Sequence, residues 1–555
     1  MSKKKHQSAK ERMQKLYGEN LLLVNAYEEK KAATCDNGTY VGFTDGDTLV
    51  FRGIPYAKPP IGKLRWKKPV APDPDDCVYT AFYNGKTPIQ TEWPTEVASY
   101  YPQGEDCLYL NIWINPSYTG ERTPMVFFHG GSYGWGGTAD PLYDGKNFVT
   151  AHPEIVLVTV GYRTGLMGFV DFSSVPGGEE FPDAPNLGLY DQIESLRWVQ
   201  RNIRAFGGNP DNVTIFGESA GGGSVSLLPC IEEAKGLFRR VIAQSGSVAL
   251  TFSKKECQDF TTRLLKASGA KKMSDLMALS EDELKKVNEA VNYYNNFPQR
   301  DGVLIPEDPY LPYAQGKTTH CDIMIGTNAN EINYWVGELG GIVPFRFGIP
   351  VKLENDMRDM SRANFRIVRK FLDKRKEHPI WNIAEFYNEM MFRLPAIRQA
   401  EEHCKHGGKA YMYYWKVPSR IRFRGACHAV ELAYVFGNLQ ETIYTGKVGR
   451  KDISDMVQRM WVNFAKTGNP STVPYRWSKY GRQYRATMII DRNTHVEMSP
   501  LDRQRRMLWP LLDEHINMSY ADMSYNVPYV HGMVAAVALT LAAVGTTVIG
   551  LLRRC

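Results

Sequence analysis

Short apolar runs alternate with longer, charged stretches along most of this chain. The apolar runs are rich in β-branched and aromatic residues, which is typical of buried strands; they are residues 125–128, 213–216, 323–325 and 411–415. The charged stretches, residues 254–296 and 350–410, carry apolar positions at helical spacing. This alternation predicts an α/β fold with a large, mostly parallel sheet, helices on both faces and helical insertions.

The last apolar stretch is longer than the others. Residues 533–552 contain no charge and are followed by Arg553, Arg554 and Cys555. As a helix they would span about 30 Å, the thickness of the hydrocarbon core of a bilayer. They predict a C-terminal transmembrane helix, against the alternatives of a buried C-terminal helix or a contact between copies. Their Ala, Gly and Thr residues would also allow a homodimer through this segment.

Composition divides the chain into three predicted parts. Residues 1–30 begin as a basic tail or helix, 31–525 form one large α/β domain, and 533–552 form the membrane anchor. The basic start has no apolar stretch of signal-peptide length after it, so no signal peptide is predicted. The simplest topology anchors the C-terminus and leaves the domain facing the cytoplasm. The terminal arginines oppose this topology, because the positive-inside rule favours them on the cytoplasmic side.

The charge of the chain is mild, at +7 for 555 residues. Much of it lies in the basic tail, which is either solvated or held near an anionic membrane surface. No basic stripe is interleaved with aromatic residues, so no nucleic-acid partner is predicted. The nine cysteines show no recognisable disulfide framework, which favours reduced thiols.

A strand-to-helix turn carries the first candidate for chemistry. Residues 217–221 read Gly-Glu-Ser-Ala-Gly, directly after the strand 213–216 and before a run that can start a helix. This order is typical of the nucleophile elbow, a strained turn that presents a serine hydroxyl above the end of a sheet. Ser219 is therefore the predicted nucleophile, and a merely structural glycine-rich connection is the alternative.

Three further parts are needed for such a serine to act: a base, a group that orients the base, and donors to an oxyanion. The glycine-dense residues 129–137 follow the strand 125–128 and can expose backbone N–H groups. They lack the Lys-Ser/Thr ending of a phosphate-binding loop. Glu331 follows the strand 323–325 as a candidate acid, and His428 lies C-terminal to both partners as a candidate base.

Longer blocks of sequence carry a resemblance to a known family. They read FRGIPYA at 51–57, EDCLYLN at 105–111, NLGLYDQ at 186–192 and FGGNP at 206–210, with further blocks at 425–437 and 461–470. These blocks resemble the type-B carboxylesterases, the branch of the α/β-hydrolases that includes the cholinesterases. The resemblance covers roughly residues 38–510 and implies the α/β-hydrolase fold.

The resemblance also implies roles for individual residues. It implies Ser219, Glu331 and His428 as the catalytic triad. It implies the backbone amides of Gly131, Ser132 and Ala220 as the oxyanion hole, with Ser132 standing where many relatives have glycine. Two structural ion pairs follow in the same way: Arg52 with Glu105, and Arg163 with Asp191.

Two other groups of residues are candidates for binding a ligand. His403, Cys404 and His406 lie too close together for ordinary zinc ligation, so a solvated helix end is predicted there and no metal. Trp93 precedes Cys107 at a distance that does not match the choline-binding tryptophan of cholinesterases. Hydrolysis by a serine triad needs no metal or organic cofactor, so none is predicted.

The sequence predicts a serine carboxylesterase that hydrolyses small-molecule carboxylic esters through an acyl-enzyme intermediate. One alternative is a catalytically silent recognition module on the same fold, although the intact Ser-Glu-His set opposes it. A second alternative keeps the chemistry but takes lipid esters or acyl-thioesters at a membrane.

Overall fold

A computed structural model describes residues 15–90, 101–291, 296–336, 343–373 and 379–514. Trp93 and the apolar segment 533–552 lie outside these residues. Within them, no helix is both long enough and apolar enough to cross a bilayer.

The strands form one large and one small sheet. In chain order they are β1 Ala32–Cys35, β2 Asn37–Val41, β3 Phe43–Asp45, β4 Thr48–Pro55, β5 Asp75–Thr80, β6 Tyr109–Ile114, β7 Thr123–Phe128, β8 Ile155–Val160, β9 Thr214–Glu218, β10 Arg240–Gln244, β11 Asp322–Asn328, β12 Ala410–Trp415, β13 Ala486–Ile490 and β14 His495–Met498. The large sheet has the order β14-β13-β12-β11-β10-β9-β7-β8-β6-β4-β3, and the small sheet has the order β1-β2-β5.

The centre of the large sheet is parallel and buried. Strands β8, β7, β9, β10, β11, β12 and β13 pair in parallel, and antiparallel strands extend the sheet at both ends. Every residue of β7, β8, β9 and β10 is buried, as expected for strands covered on both faces. The carboxyl ends of β9, β10 and β11 meet at one edge, where polar loops can converge.

Helices cover the sheet and form the insertions. They are α1 Lys146–Ala151, α2 Gly165–Gly168, α3 Leu187–Asn202, α4 Ala220–Leu227, α5 Lys254–Ser268, α6 Met273–Met277, α7 Glu281–Val291, α8 Leu311–Ala314, α9 Asn333–Val336, α10 Val343–Arg358, α11 Arg362–Asp373, α12 Pro379–Tyr387, α13 Leu394–Lys405, α14 Leu432–Val435, α15 Lys451–Thr467 and α16 Asp502–Leu508. A π-helical segment, Asn388–Arg393, joins α12 to α13. The predicted insertions correspond to α5–α7 and α10–α13.

The described part of the N-terminal segment lies against the small sheet. Tyr17 bridges to Asn84, and Leu22 bridges to Tyr79 of β5. The Asn20 side chain donates to the carbonyl oxygens of Arg52, at 3.0 Å, and Tyr83, at 2.9 Å. From Lys15 onward this segment is therefore paired with the domain.

The two predicted ion pairs had different outcomes. Arg163 and Asp191 form a fully buried bidentate pair, with N–O distances of 2.8 and 2.7 Å. The pairing of Arg52 with Glu105 is wrong, because Glu105 instead accepts two 2.6 Å hydrogen bonds from Arg65. Arg52 lies 3.6 Å from an oxygen of Asp144. Sequence order could not decide which of the two arginines folds onto Glu105.

Candidate active site

Ser219 lies at the sharp turn between β9 and α4. Its backbone has φ 60° and ψ −121°, a left-handed conformation that is strained for a residue with a side chain. The turn is held by backbone hydrogen bonds, and the first is from the Ser219 amide to the carbonyl of Gln244, at the end of β10, at 2.9 Å. The Ser219 carbonyl accepts from the amide of Gly223 at 2.8 Å. This is the geometry expected of a nucleophile elbow.

The glycines around Ser219 are required by close backbone approach. A Cβ on Gly221 would lie 1.9 Å from the carbonyl oxygen of Phe128, at the end of β7. A Cβ on Gly217 would lie 2.5 Å from the carbonyl carbon of Gly221 itself. Neither backbone can move without displacing the turn, so only glycine fits at these positions.

The glycine-dense loop after β7 lies beside Ser219. A Cβ on Gly130 would lie 3.0 Å from the Cβ of Ser219, so the loop backbone packs directly against the serine. Gly131 has φ +105°, and its carbonyl accepts from the amides of Gly134 and Trp135 at 2.9 and 3.1 Å. Within the described residues, the amides of Gly131 and Ala220 donate to no other protein group. They can therefore serve an incoming oxyanion.

His129, which begins this loop, is a structural residue. The His129 ring stacks on Tyr162 with a centroid distance of 4.5 Å, and its Nδ1 lies 2.8 Å from the Gly130 carbonyl. Burial lowers the pKa of His129 to about 4, so the ring is neutral at ordinary pH. It supports the loop and offers no charge to the site.

Glu331 and His428 are brought together by the loops after β11 and β12. Glu331 Oε2 lies 2.6 Å from His428 Nδ1, and the two residues are joined again by a 3.3 Å backbone hydrogen bond. The other oxygen of Glu331 accepts from the Ser245 hydroxyl at 2.7 Å and from the backbone N–H of Asn328 at 2.6 Å. Glu331 is completely buried, so these donors hold its carboxylate in place beside the imidazole.

The second ring nitrogen of His428 faces the turn that carries Ser219. Its Nε2 lies 3.2 Å from Oε1 of Glu218, the residue directly before Ser219. The two atoms are not aligned for a hydrogen bond, and neither has another hydrogen-bond partner among the described residues. Trp335 and Phe392 pack against the ring, with centroid distances of 5.0 and 5.1 Å. These two rings confine the imidazole between Glu331 and the elbow.

The buried carboxylates change the protonation of the site. Burial by itself would lower the pKa of His428, but the charges of Glu218 and Glu331 outweigh it and raise the pKa to about 9. Burial raises the pKa of Glu218 to about 8, against the attraction of His428. Perturbed pKa values in one buried cluster are typical of catalytic sites.

Three polar residues of this cluster were not predicted from the sequence. They are Glu218, Ser245 and Glu431. Glu431 is buried, accepts from Asn328 Nδ2 at 2.6 Å and from Gln244 Nε2 at 3.1 Å, and burial raises its pKa. The available signal was positional, since Glu218 lies inside the serine pentapeptide and Ser245 follows a central strand.

The other predicted candidate within the described residues is the cluster of His403, Cys404 and His406. Among the described residues, no group of three or more His, Cys, Asp or Glu side chains could hold a metal ion. The predicted solvated helix end is present, since α13 ends at Lys405 and both Lys405 and His406 are exposed. His403 is the exception, because it is fully buried and its Nδ1 lies 2.9 Å from the Thr318 hydroxyl. The eight cysteines in the described part of the chain are unpaired.

Sequence comparison identifies the family. Residues 35–509 match the carboxylesterase family. A para-nitrobenzyl esterase of Bacillus subtilis (strain 168) is 32% identical over 506 residues, which cover 86% of this chain and 98% of that protein. A cholinesterase of Mus musculus is 29% identical over 479 residues, which cover 77% of this chain and 76% of that protein.

Structural comparison agrees with the sequence match. A carboxylesterase of Geobacillus stearothermophilus, solved at pH 6.2, has a TM-score of 0.74 and 31% identity, covering 86% of this chain and 99% of its own. A thermophilic para-nitrobenzyl esterase has a TM-score of 0.75 and 30% identity, covering 86% of this chain and all of its own. The chain therefore belongs to the carboxylesterase family, has the α/β-hydrolase fold and is a carboxylic ester hydrolase.

Proposed function

We propose that the protein hydrolyses carboxylic esters through an acyl-enzyme formed on Ser219. The Ser219 hydroxyl attacks the ester carbonyl while His428 Nε2 removes its proton. Glu331, held to Nδ1 at 2.6 Å, keeps the correct tautomer and stabilises the imidazolium that forms. His428 then protonates the leaving alcohol, and the acyl group remains on Ser219.

The second half of the reaction uses the same groups. His428 removes a proton from water, the resulting hydroxide attacks the acyl carbon, and Ser219 leaves as its alcohol with the proton returned by His428. The amides of Gly131, Ser132 and Ala220 stabilise the oxyanion in both halves. Each such donor is typically worth about 3–4 kcal/mol in the transition state.

The observation that carries this proposal is the Glu331–His428 hydrogen bond beside the strained Ser219 turn. The test is hydrolysis of a p-nitrophenyl ester series, from acetate to laurate, by the full chain and by Ser219→Ala. We expect kcat to fall by about 10⁴–10⁶ in the variant, because no other group replaces the nucleophile. Hydrolysis that persists in Ser219→Ala would contradict the proposal. An inactive but folded wild-type chain would favour the silent recognition module.

We further propose that residues 533–552 anchor the chain in a membrane with the catalytic domain on the cytoplasmic side. The support is the uncharged length of the segment, about that of a bilayer core. Extraction of the expressed full chain by detergent, but not by alkaline carbonate, would support the anchor. Release by carbonate would contradict it. Protection of the domain from protease added outside intact cells, with digestion after permeabilisation, would support the cytoplasmic orientation.

A further inference from the structure

Helix α11 presents a strongly basic outer surface. Its buried side chains, Val368 and Phe371, face the neighbouring helices. The opposite side carries exposed residues at spacings of three and four, which places them on one face. We call this set the basic face; it consists of Arg362, Phe365, Arg366, Arg369 and Lys370. The guanidinium of Arg369 lies 5.7 Å from the centroid of the Phe365 ring, which is 41% exposed.

Among the described residues, no carboxylate forms an ion pair with the basic face. Asp373 is the one acidic residue of α11 itself. In the last described residues, which pack beside the helix, Glu514 accepts from the Asn364 side chain, and Asp513 accepts from Arg398 at 3.0 Å. The adjacent helix α16 adds another exposed cation, Arg503. The surface therefore attracts anions and offers one aromatic ring to an apolar environment.

The basic face lies within reach of the apolar C-terminal segment. The described chain ends at Glu514, in hydrogen-bond contact with Asn364 of α11. Eighteen residues separate Glu514 from Met533. Fully extended, they would reach at most about 65 Å. A membrane anchored by residues 533–552 is thus within reach of the helix whose exposed side is cationic.

The same insertion is continuous with the catalytic loops. Helix α12 packs against α11. Its Trp381 stacks on Phe423 with a centroid distance of 5.9 Å. Phe423 is 39% exposed and lies five residues before His428 in the chain. Its carbonyl accepts from Asn333, two residues after Glu331, at 3.3 Å. Helix α12 therefore connects α11, by direct packing, to the loop that carries His428.

We propose that the basic face docks on an anionic lipid surface and turns the catalytic domain toward esters dissolved in that membrane. The inference rests on the proposed membrane attachment and ester hydrolysis. Each cation near an anionic leaflet strengthens the attraction to it. Phe365 would enter the interfacial region, where an aromatic ring is favoured.

The test uses the full chain reconstituted in phosphatidylcholine vesicles with or without phosphatidylserine. A benzophenone amino acid replaces Phe365, and in a control protein it replaces Val303, which is 88% exposed. The Phe365-labelled chain is compared with its R366E/R369E/K370E variant. A matched variant, K254E/K255E/K271E, reverses three exposed lysines elsewhere. Lipid adducts formed on illumination are measured by mass spectrometry.

We expect lipid adducts at position 365 that depend on phosphatidylserine. Their yield should fall by tenfold or more in the R366E/R369E/K370E variant, because the attraction of three cations to the anionic lipid is lost. The yield should not fall in the K254E/K255E/K271E variant. The inference is overturned if position 365 labels lipid no better than position 303, or equally well without phosphatidylserine. Adducts to a second copy of the protein, or to a bound acidic macromolecule in place of lipid, would also overturn it. Hydrolysis of soluble p-nitrophenyl butyrate by the same preparations tests the ester hydrolysis separately, since these surface changes leave the catalytic residues intact.

Discussion

Two sets of buried charges in this domain are built in opposite ways. Asp191 receives two guanidinium bonds and the backbone amide of Arg163, so that cation and anion satisfy each other. In the candidate active site, His428 is surrounded by the carboxylates of Glu218, Glu331 and Glu431, and of these only Glu331 is hydrogen-bonded to it. The first arrangement holds the scaffold together. The second leaves protons that can be moved, which is what general base catalysis requires.

The largest effect that separates the two sets is expected from Glu331→Gln. The amide cannot hold the imidazolium or select its tautomer as the carboxylate does, so kcat/KM should fall by about 10⁴-fold, or about 5 kcal/mol. The free energy of unfolding should change far less. The measurement is p-nitrophenyl butyrate hydrolysis beside urea unfolding. Exposed Glu232→Gln is the matched control, and a loss of less than tenfold in Glu331→Gln would refute the assigned role.

The scaffold pair should show the reverse pattern. Asp191→Ala leaves the Arg163 guanidinium buried without its carboxylate, which should cost about 3–5 kcal/mol of folding stability. Activity per folded molecule should persist. Asp211→Ala is the control, because Asp211 is an exposed partner, 3.6 Å from Arg204, and such pairs contribute about 0–1 kcal/mol. Equal urea midpoints for the two variants would show that the buried pair contributes no more to folding stability than the exposed pair.

The smallest effect is a shift of the pH profile in Glu218→Gln. His428 acts as a base only when deprotonated, and its pKa is raised to about 9 by the neighbouring carboxylates, so kcat/KM should rise with pH up to that range. Removing the Glu218 charge lowers the pKa of His428. The rising limb should therefore move to lower pH, by about one unit. An unchanged limb, or one moved to higher pH, would show that Glu218 does not act on His428.

Local pattern sufficed to predict the elements that carry the chemistry. The apolar run 213–216 and the glycines that follow it predict β9, the turn at Ser219 and the start of α4, because each is set by neighbours in the chain. The strands before Glu331 and His428 were predicted for the same reason. The assignment of His428 among the histidines needed the longer resemblance, since no local feature distinguishes it.

Contacts between distant segments were predicted less well. Arg52 and Arg65 lie thirteen positions apart, and either could have met Glu105. Arg65 does so, because its guanidinium also donates to the carbonyls of Met277 and Leu279, at 3.0 and 2.8 Å. His403 was expected in solvent, but the packing of α13 buries it beside Thr318. Both errors concern partners that the chain order does not reveal.

The sequence by itself determined the alternation of strands and helices, the glycine-bounded serine turn and the residue types needed for ester hydrolysis. These features follow from side-chain size, backbone freedom and periodicity, which act over a few residues. Only the tertiary structure decided that Glu218 faces His428, that Ser245 and Asn328 hold Glu331, and which arginine neutralises Glu105. Those outcomes depend on where loops from different strands converge and on how burial removes water from charged groups, which no short stretch of sequence contains.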